Sequence, residues 1–255
     1  MKIAVGLPSA DSRACLPLTQ SLVSVVNAGF DRGIRFIECS LGMSALLPTI
    51  RDVIAADAIA SGADALWFID QDQSFEPDDF FALLDPIERG MADVVGSAAA
   101  QKEFDRTRIQ VACMNFESDV FRSAVGRMNF HTIPGQGFRL GKNVYLPARI
   151  GMGSTLISRK ALEAPGAIAD RTHETLGPEG QAAKPTPVLF EGPAEDLNFC
   201  RLCERAGMKV FAHVNSRILH WGLTAYRNNA VQLLREQGVN LDFPDSAEEA
   251  PATRR

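Results

Sequence analysis

Apolar residues near the start of the chain fall into short runs that alternate with stretches of helical spacing. Residues 2–7 form one such run, closed by Pro8, and residues 16–28 carry helical periodicity up to Gly29. A second strand is predicted over residues 34–39. Ser44 is placed to cap a helix whose apolar residues Leu47, Ile50, Ile54, Ala58 and Ile59 recur at helical spacing until Gly62. Residues 65–69 are then uninterruptedly apolar, as in a strand covered on both faces, and stop abruptly at Asp70-Gln71-Asp72-Gln73. Pro77-Asp78-Asp79 opens another helix through Leu84, and residues 93–96 read as a strand.

This βαβαβ order predicts a mostly parallel sheet that binds ligands beyond the carboxyl ends of its strands, which is where the acidic pair falls. The pattern weakens over residues 104–147 into short strand candidates such as 109–113, separated by Gly and Pro. Gly151-Met152-Gly153 precedes the apolar Leu156-Ile157. Residues 165–187, rich in Gly, Pro and Thr, read as a mobile loop that could serve as a lid. Helical spacing returns over residues 195–206, with Gly207 as its stop, and short strands follow at 210–212 and 218–219. A last helix is predicted over residues 224–237, stopped by Gly238, and the tail over residues 241–255, above all after Pro244, reads as disordered.

With 255 residues, 46% of them hydrophobic and 22% charged, the chain can bury one large core, so a single domain over residues 1–240 is expected. The net charge of −5, with Lys and Arg dispersed, gives no electrostatic footprint for nucleic acid. No signal peptide and no window of membrane-spanning length is visible, so a cytoplasmic protein with room for peripheral membrane contact is expected. Five cysteines at irregular spacing argue against a disulfide framework, and the Cys200–Cys203 pair, inside a predicted helix, reads as buried and apolar.

Two carboxylates at i and i+2 on an extended segment point the same way, so Asp70 and Asp72 can face one ligand. At ~5 Å and an effective dielectric near 20 their repulsion is about 3 kcal/mol, a cost that a divalent cation reverses. Their bland reading is a solvated turn after a strand. Glu195-Asp196 opens a helix, where acidic residues also suit the positive end of the dipole; the functional reading makes one of them a general base. His220 ends an apolar run before Trp221-Gly222 and is either structural or a metal ligand.

In this order the segments resemble the GT-A-type glycosyltransferases, particularly their family 2-like branch. The resemblance is carried by Ile3-Ala4-Val5-Gly6-Leu7-Pro8, Leu66-Trp67-Phe68-Ile69-Asp70-Gln71-Asp72 and Gly151-Met152-Gly153-Ser154-Thr155-Leu156-Ile157-Ser158-Arg159. Glu195-Asp196-Leu197-Asn198-Phe199-Cys200 and His220-Trp221-Gly222 complete it. It implies an α/β fold, a single GT-A-type, Rossmann-like domain with a mixed, mostly parallel central sheet flanked by helices. Residues 1–102 would form the nucleotide-sugar-binding half, 103–223 the acceptor-side half and 224–240 a C-terminal helix.

The resemblance further implies a metal-dependent glycosyltransferase that moves a sugar from a nucleotide-diphosphate sugar to a hydroxyl of a glycan, lipid-linked or small-molecule acceptor. In such enzymes Asp70 would contact the donor ribose or the metal, manganese or magnesium, and Asp72 would bind the metal bridging the diphosphate, with His220 completing its shell. Pro8, Ser9 and Glu38 match the strand ends that contact base and ribose, Arg51 an arginine near the diphosphate, and Lys102 a residue after the strand that follows the acidic pair. Asp196 would be the general base of an inverting reaction and Glu195 would support it or touch the acceptor. A histidine ligand such as His220 is more like certain retaining members, which leaves the stereochemistry open.

Phe68-Ile69-Asp70-Gln71-Asp72-Gln73-Ser74 also looks like the first motif of haloacid-dehalogenase-type phosphatases, with Asp70 as nucleophile, although two βα units precede it here. A catalytically inert nucleotide-sugar-binding protein is the non-enzymatic alternative. A phosphate-binding P-loop is excluded, since Gly141-Lys142 is followed by Asn143 and position 136 is Gln, and Gly151-Met152-Gly153 lacks a third glycine at Leu156 for a dinucleotide fingerprint.

Overall fold

A computed structural model of the chain describes residues 1–9, 14–38, 46–104, 126–175, 184–221, 225–226 and 230–246. The first half contains β1 (Lys2–Gly6), α1 (Leu16–Asp31), β2 (Arg35–Glu38), α2 (Leu47–Ala60), β3 (Ala65–Ile69), β4 (Gln73–Ser74), α3 (Pro77–Glu88), β5 (Val94–Ser97) and β6 (Ala100–Phe104). Then come β7 (Gly126–Met128), β8 (Phe130–Thr132), β9 (Phe138–Leu140), β10 (Asn143–Ile150), β11 (Ser154–Ser158) and α4 (Arg159–Ala167). The chain closes with β12 (Thr172–Thr175), β13 (Lys184–Pro187), α5 (Glu195–Arg205), β14 (Val210–His213), β15 (Leu219–Trp221), β16 (Ala225–Tyr226) and α6 (Ala230–Glu236).

The central sheet has the order β2-β1-β3-β11-β5-β14-β10-β8, with β9 also paired to β10. Strands β2, β1, β3, β5 and β14 share one direction, and β11 and β10 run against them. All five residues of β3 are fully buried, as its uninterrupted apolar run requires. Ala65, Trp67 and Ile69 face a core layer with Leu18 and Val25 of α1 and Phe80, Leu83 and Leu84 of α3. Leu66 and Phe68 face the other layer, with Ile50, Ile54 and Ala58 of α2, Leu162 of α4 and Phe199 and Cys203 of α5. That alternation is the period of two of a strand between two helical layers.

Several local expectations are revised. Helix α1 runs through Gly29, where a Cβ would lie 2.5 Å from the Phe36 ring; this glycine serves close helix–strand packing, and the turn is made at Gly33 with φ +71°. Helix α3 is fixed at its start by reciprocal hydrogen bonds between Glu76 and Asp79. Within residues 165–187, α4 extends to Ala167 and β12 and β13 pair antiparallel, while residues 176–183 lie outside the described residues. The last helix does not begin at Thr224, because Ala225-Tyr226 pair with His220-Trp221 and α6 begins at Ala230; Gly238, φ +76°, is its stop. The predicted cap Ser44 and the strand at 109–113 lie outside the described residues.

Residues 241–246, expected in the tail, lie against the body of the protein. Leu241 is buried and the Asp245 carboxylate accepts a hydrogen bond from the Gly141 amide at 3.0 Å. Cys200 and Cys203 are buried free thiols, and burial pushes Cys200 up to about 12, which removes any reactive thiolate at neutral pH. Among the described residues, no helix is long and apolar enough to cross a membrane.

His213, at the end of β14, is fully enclosed beside the Tyr145 ring, and burial pushes its imidazole from 6.5 down to about 3. Between these values the unfolded chain holds a proton that the folded chain does not. Stability is therefore complete above about pH 6.5 and declines as pH falls toward 3. In urea titrations at about pH 7.5 and about pH 5, His213→Phe is expected to lose less stability on acidification than the parent. Equal losses would refute this assignment.

Candidate functional site

The site grows from the end of β3, where the next residue, Asp70, continues the face of Leu66 and Phe68 toward α2. The Asp70 amide donates to the Gly153 carbonyl at 2.6 Å, extending the β3–β11 ladder by one bond. A Cβ on Gly153 would stand 2.3 Å from Gln73 Nε2 and 2.8 Å from Asp70 Oδ2, so a larger residue there would displace both side-chain ends. From the opposite side, the Cys15 amide ahead of α1 donates to the Gln71 carbonyl at 2.9 Å, and the Ser9 hydroxyl donates to the Gln71 side-chain oxygen.

A small sheet then brings in the end of the chain. β15 pairs antiparallel with β4, setting His220 opposite Gln73, and the Trp221 amide donates to the Asp72 carbonyl at 2.7 Å. The Trp221 indole donates to Ser74 Oγ at 2.7 Å. One ligand atom each from Asp70, Asp72 and His220 therefore lies within 4.8 Å of the others, with His220 Nε2 3.1 Å from Asp72 Oδ1. Two carboxylate oxygens and one imidazole nitrogen at this spacing form a donor set that a divalent cation can gather with small movements.

Behind the acidic turn, Arg51 of α2 is almost completely buried. Its Nη2 lies 3.4 Å from Asp70 Oδ1, its Nη1 is bonded to Glu195 at the start of α5, and its guanidinium carbon lies 6.0 Å from the centre of the Phe68 ring. A buried guanidinium is tolerable only when such partners are present. The next residue, Asp52, points into the same layer and accepts the Leu189 and Phe190 amides at 2.8 and 3.0 Å. Phe190 in turn stacks on Phe199, centroids 4.7 Å apart, and meets Phe68 edge-on at 5.6 Å.

The structure thus brings Asp70, Asp72, His220, Arg51 and Glu195 together. Pro8 and Ser9 follow β1 and lie beside the turn through Gln71. Arg51, expected near a diphosphate, pairs with two carboxylates and is 4% exposed in its side chain. Asp196, expected as the base, accepts the Leu197 amide on Oδ1 at 2.7 Å, and Glu195 shares Arg51 with Asp70. Glu38 and Lys102 are placed by their backbones alone, on β2 opposite Val5 and on β6, which lies beside β15 and β16. Sequence analysis missed Asp52 and Gln73. A carboxylate inside the apolar spacing of α2 was the only available sign of the first.

The fold is the GT-A-type α/β fold. Among solved structures, the chain is similar to A197 from STIV at 18% identity and a TM-score of 0.50, covering 87% of this chain and 86% of that one. It also aligns with residues 1–349 of TarS from S. aureus (11% identity, TM-score 0.41, 98% of this chain and 68% of that one). A third alignment is with the glucosyl-3-phosphoglycerate synthase from Mycobacterium tuberculosis (14% identity, TM-score 0.41, 96% and 80%). No family profile and no curated protein sequence matches the chain.

Asp52→Ala leaves two buried amides without their acceptor and is expected to cost roughly 2–4 kcal/mol in urea unfolding, with Asp52→Asn recovering most of it. A loss below the error of the measurement would refute the clamp. Gly153→Ala is expected to keep the fold, by circular dichroism, while weakening manganese binding by calorimetry, since Asp70 and Gln73 must move aside. Unchanged binding would show that the contact is slack.

Proposed function

We propose that the protein is a metal-dependent glycosyltransferase acting on a nucleotide-diphosphate sugar. The observation that carries this reading is the convergence of Asp70, Asp72 and His220 at the carboxyl end of β3, the ligand-binding edge of such a sheet. Carboxylates suit magnesium and manganese and imidazole suits softer metals, so the mixed set favours manganese. Asp70, Asp72 and His220 would hold the ion, whose chemistry when bound would be to neutralise charge on a departing diphosphate. Pro8, Ser9 and Glu38, at the ends of β1 and β2, are our candidates for contacting base and ribose, and Lys102 is a further candidate for the donor.

Of the two acidic residues at the start of α5, Glu195 is the better candidate for the proton acceptor. It shares Arg51 with Asp70, whereas Asp196 is engaged by its own helix turn. Arg51 is then a positioning residue for both carboxylates.

Isothermal titration of UDP, GDP, CDP and dTDP is expected to give one nucleotide that binds with manganese and not with chelator, and Asp72→Ala is expected to abolish that binding. If no nucleotide binds with manganese present, the donor-site reading fails. Once a donor is known, Glu195→Gln is expected to lower turnover roughly 100-fold or more with nucleotide affinity retained, and Asp196→Asn to act much less. The reverse order would return the base to Asp196.

A further inference from the structure

Glu195 has a second environment. Besides facing Arg51, it lines an open cavity of about 620 Å³ together with Leu47, Pro48, Val188, Phe190 and Pro193. Its size is that of a small-molecule site, and its walls come from the first turn of α2 and from the segment that Asp52 clamps. Leu46 and Leu47, 64% and 36% exposed, leave large apolar side chains in water at its mouth.

The charges around the cavity narrow what it can hold. Arg171 and Glu191 line it but are bonded to one another, and the Arg51 guanidinium is held by Asp70 and Glu195. The charged side chains among the described lining residues are one cation, Arg171, and two carboxylates, Glu191 and Glu195, so the lining is acidic on balance and disfavours a phosphate or carboxylate. Apart from these three charged residues, Thr49 is the one polar side chain among the described lining residues, so most of the wall offers a bare polyhydroxylated sugar no side-chain hydrogen bond.

We infer that this cavity is the acceptor subsite, and that it takes an uncharged acceptor with an apolar body, an aryl or alkyl alcohol, whose hydroxyl meets Glu195. The inference rests on the glycosyltransferase reading and adds its substrate class. In the step, an acceptor oxygen lone pair forms the bond to the anomeric carbon of the donor sugar. The bond from that carbon to the diphosphate oxygen breaks, its electron pair leaves on the diphosphate, and the hydroxyl proton passes to the Glu195 carboxylate.

The test is a fluorescence titration with 2-naphthalenemethanol, an uncharged apolar alcohol, which needs neither metal nor nucleotide. Saturable binding is expected in the parent, at least tenfold weaker in Leu47→Asp and in Val188→Asp, and unchanged in Leu16→Asp, which places a charge on an exposed apolar position of α1. Leu47 lies in the first turn of α2, where an added carboxylate suits the helix, so that variant is expected to fold. Equal affinity in all variants, or displacement of the probe by glucose or glycerol 3-phosphate, would overturn the inference. So would absent probe binding in a protein that binds a nucleoside diphosphate with manganese. A failed nucleotide titration beside intact, Leu47-sensitive probe binding would instead sink the donor reading and leave the groove's apolar selectivity standing.

Discussion

Arg51 and Glu195 lie 144 positions apart in the chain, and a single buried guanidinium holds them together. Arg51 sits on α2 between Ile50 and Ile54, both in the core, so its side chain is carried into the protein whether or not a partner is there. A charge out of water must be matched, and Asp70 and Glu195 are the groups that match it. The end of β3 and the start of α5 are thereby fixed against one helix.

The next residue of that helix does the same with opposite sign. Asp52 holds the Leu189 and Phe190 amides, and Phe190 stacks into the layer of Phe199 and Phe68. Two adjacent charged residues of α2 thus position two neighbouring regions: the acidic turn through Arg51, and the wall of the apolar cavity through Asp52. Disturbing the packing of α2 is felt at both.

Three carboxylates, Asp70, Asp72 and Glu195, gather around one arginine and one histidine. Their mutual repulsion falls when a cation enters, which couples the proposed metal site to the stability of the turn around it. The turn is braced from three directions: the segment ahead of α1, the Gly153 carbonyl, and the β15 strand that carries His220. The same bracing explains why Gly153 and Gln73, neither of them a candidate ligand, are tightly constrained.

The sequence by itself determined the α/β class and the acidic turn after a buried strand, because a strand enclosed on both faces needs an unbroken apolar run and its end is marked by the first charges. The helices of the first half were equally legible from their spacing. Tertiary structure decided the rest. Gly29 packs against Phe36 where local rules read a helix stop, and Ala225-Tyr226 join a ladder to His220-Trp221 that no local propensity encodes. Both depend on packing or strand pairing between segments, which the propensities of single residues do not carry. Which of Glu195 and Asp196 pairs with Arg51 was likewise invisible, since adjacent residues on a helix point about 100° apart and only the packed position of Arg51 selects Glu195.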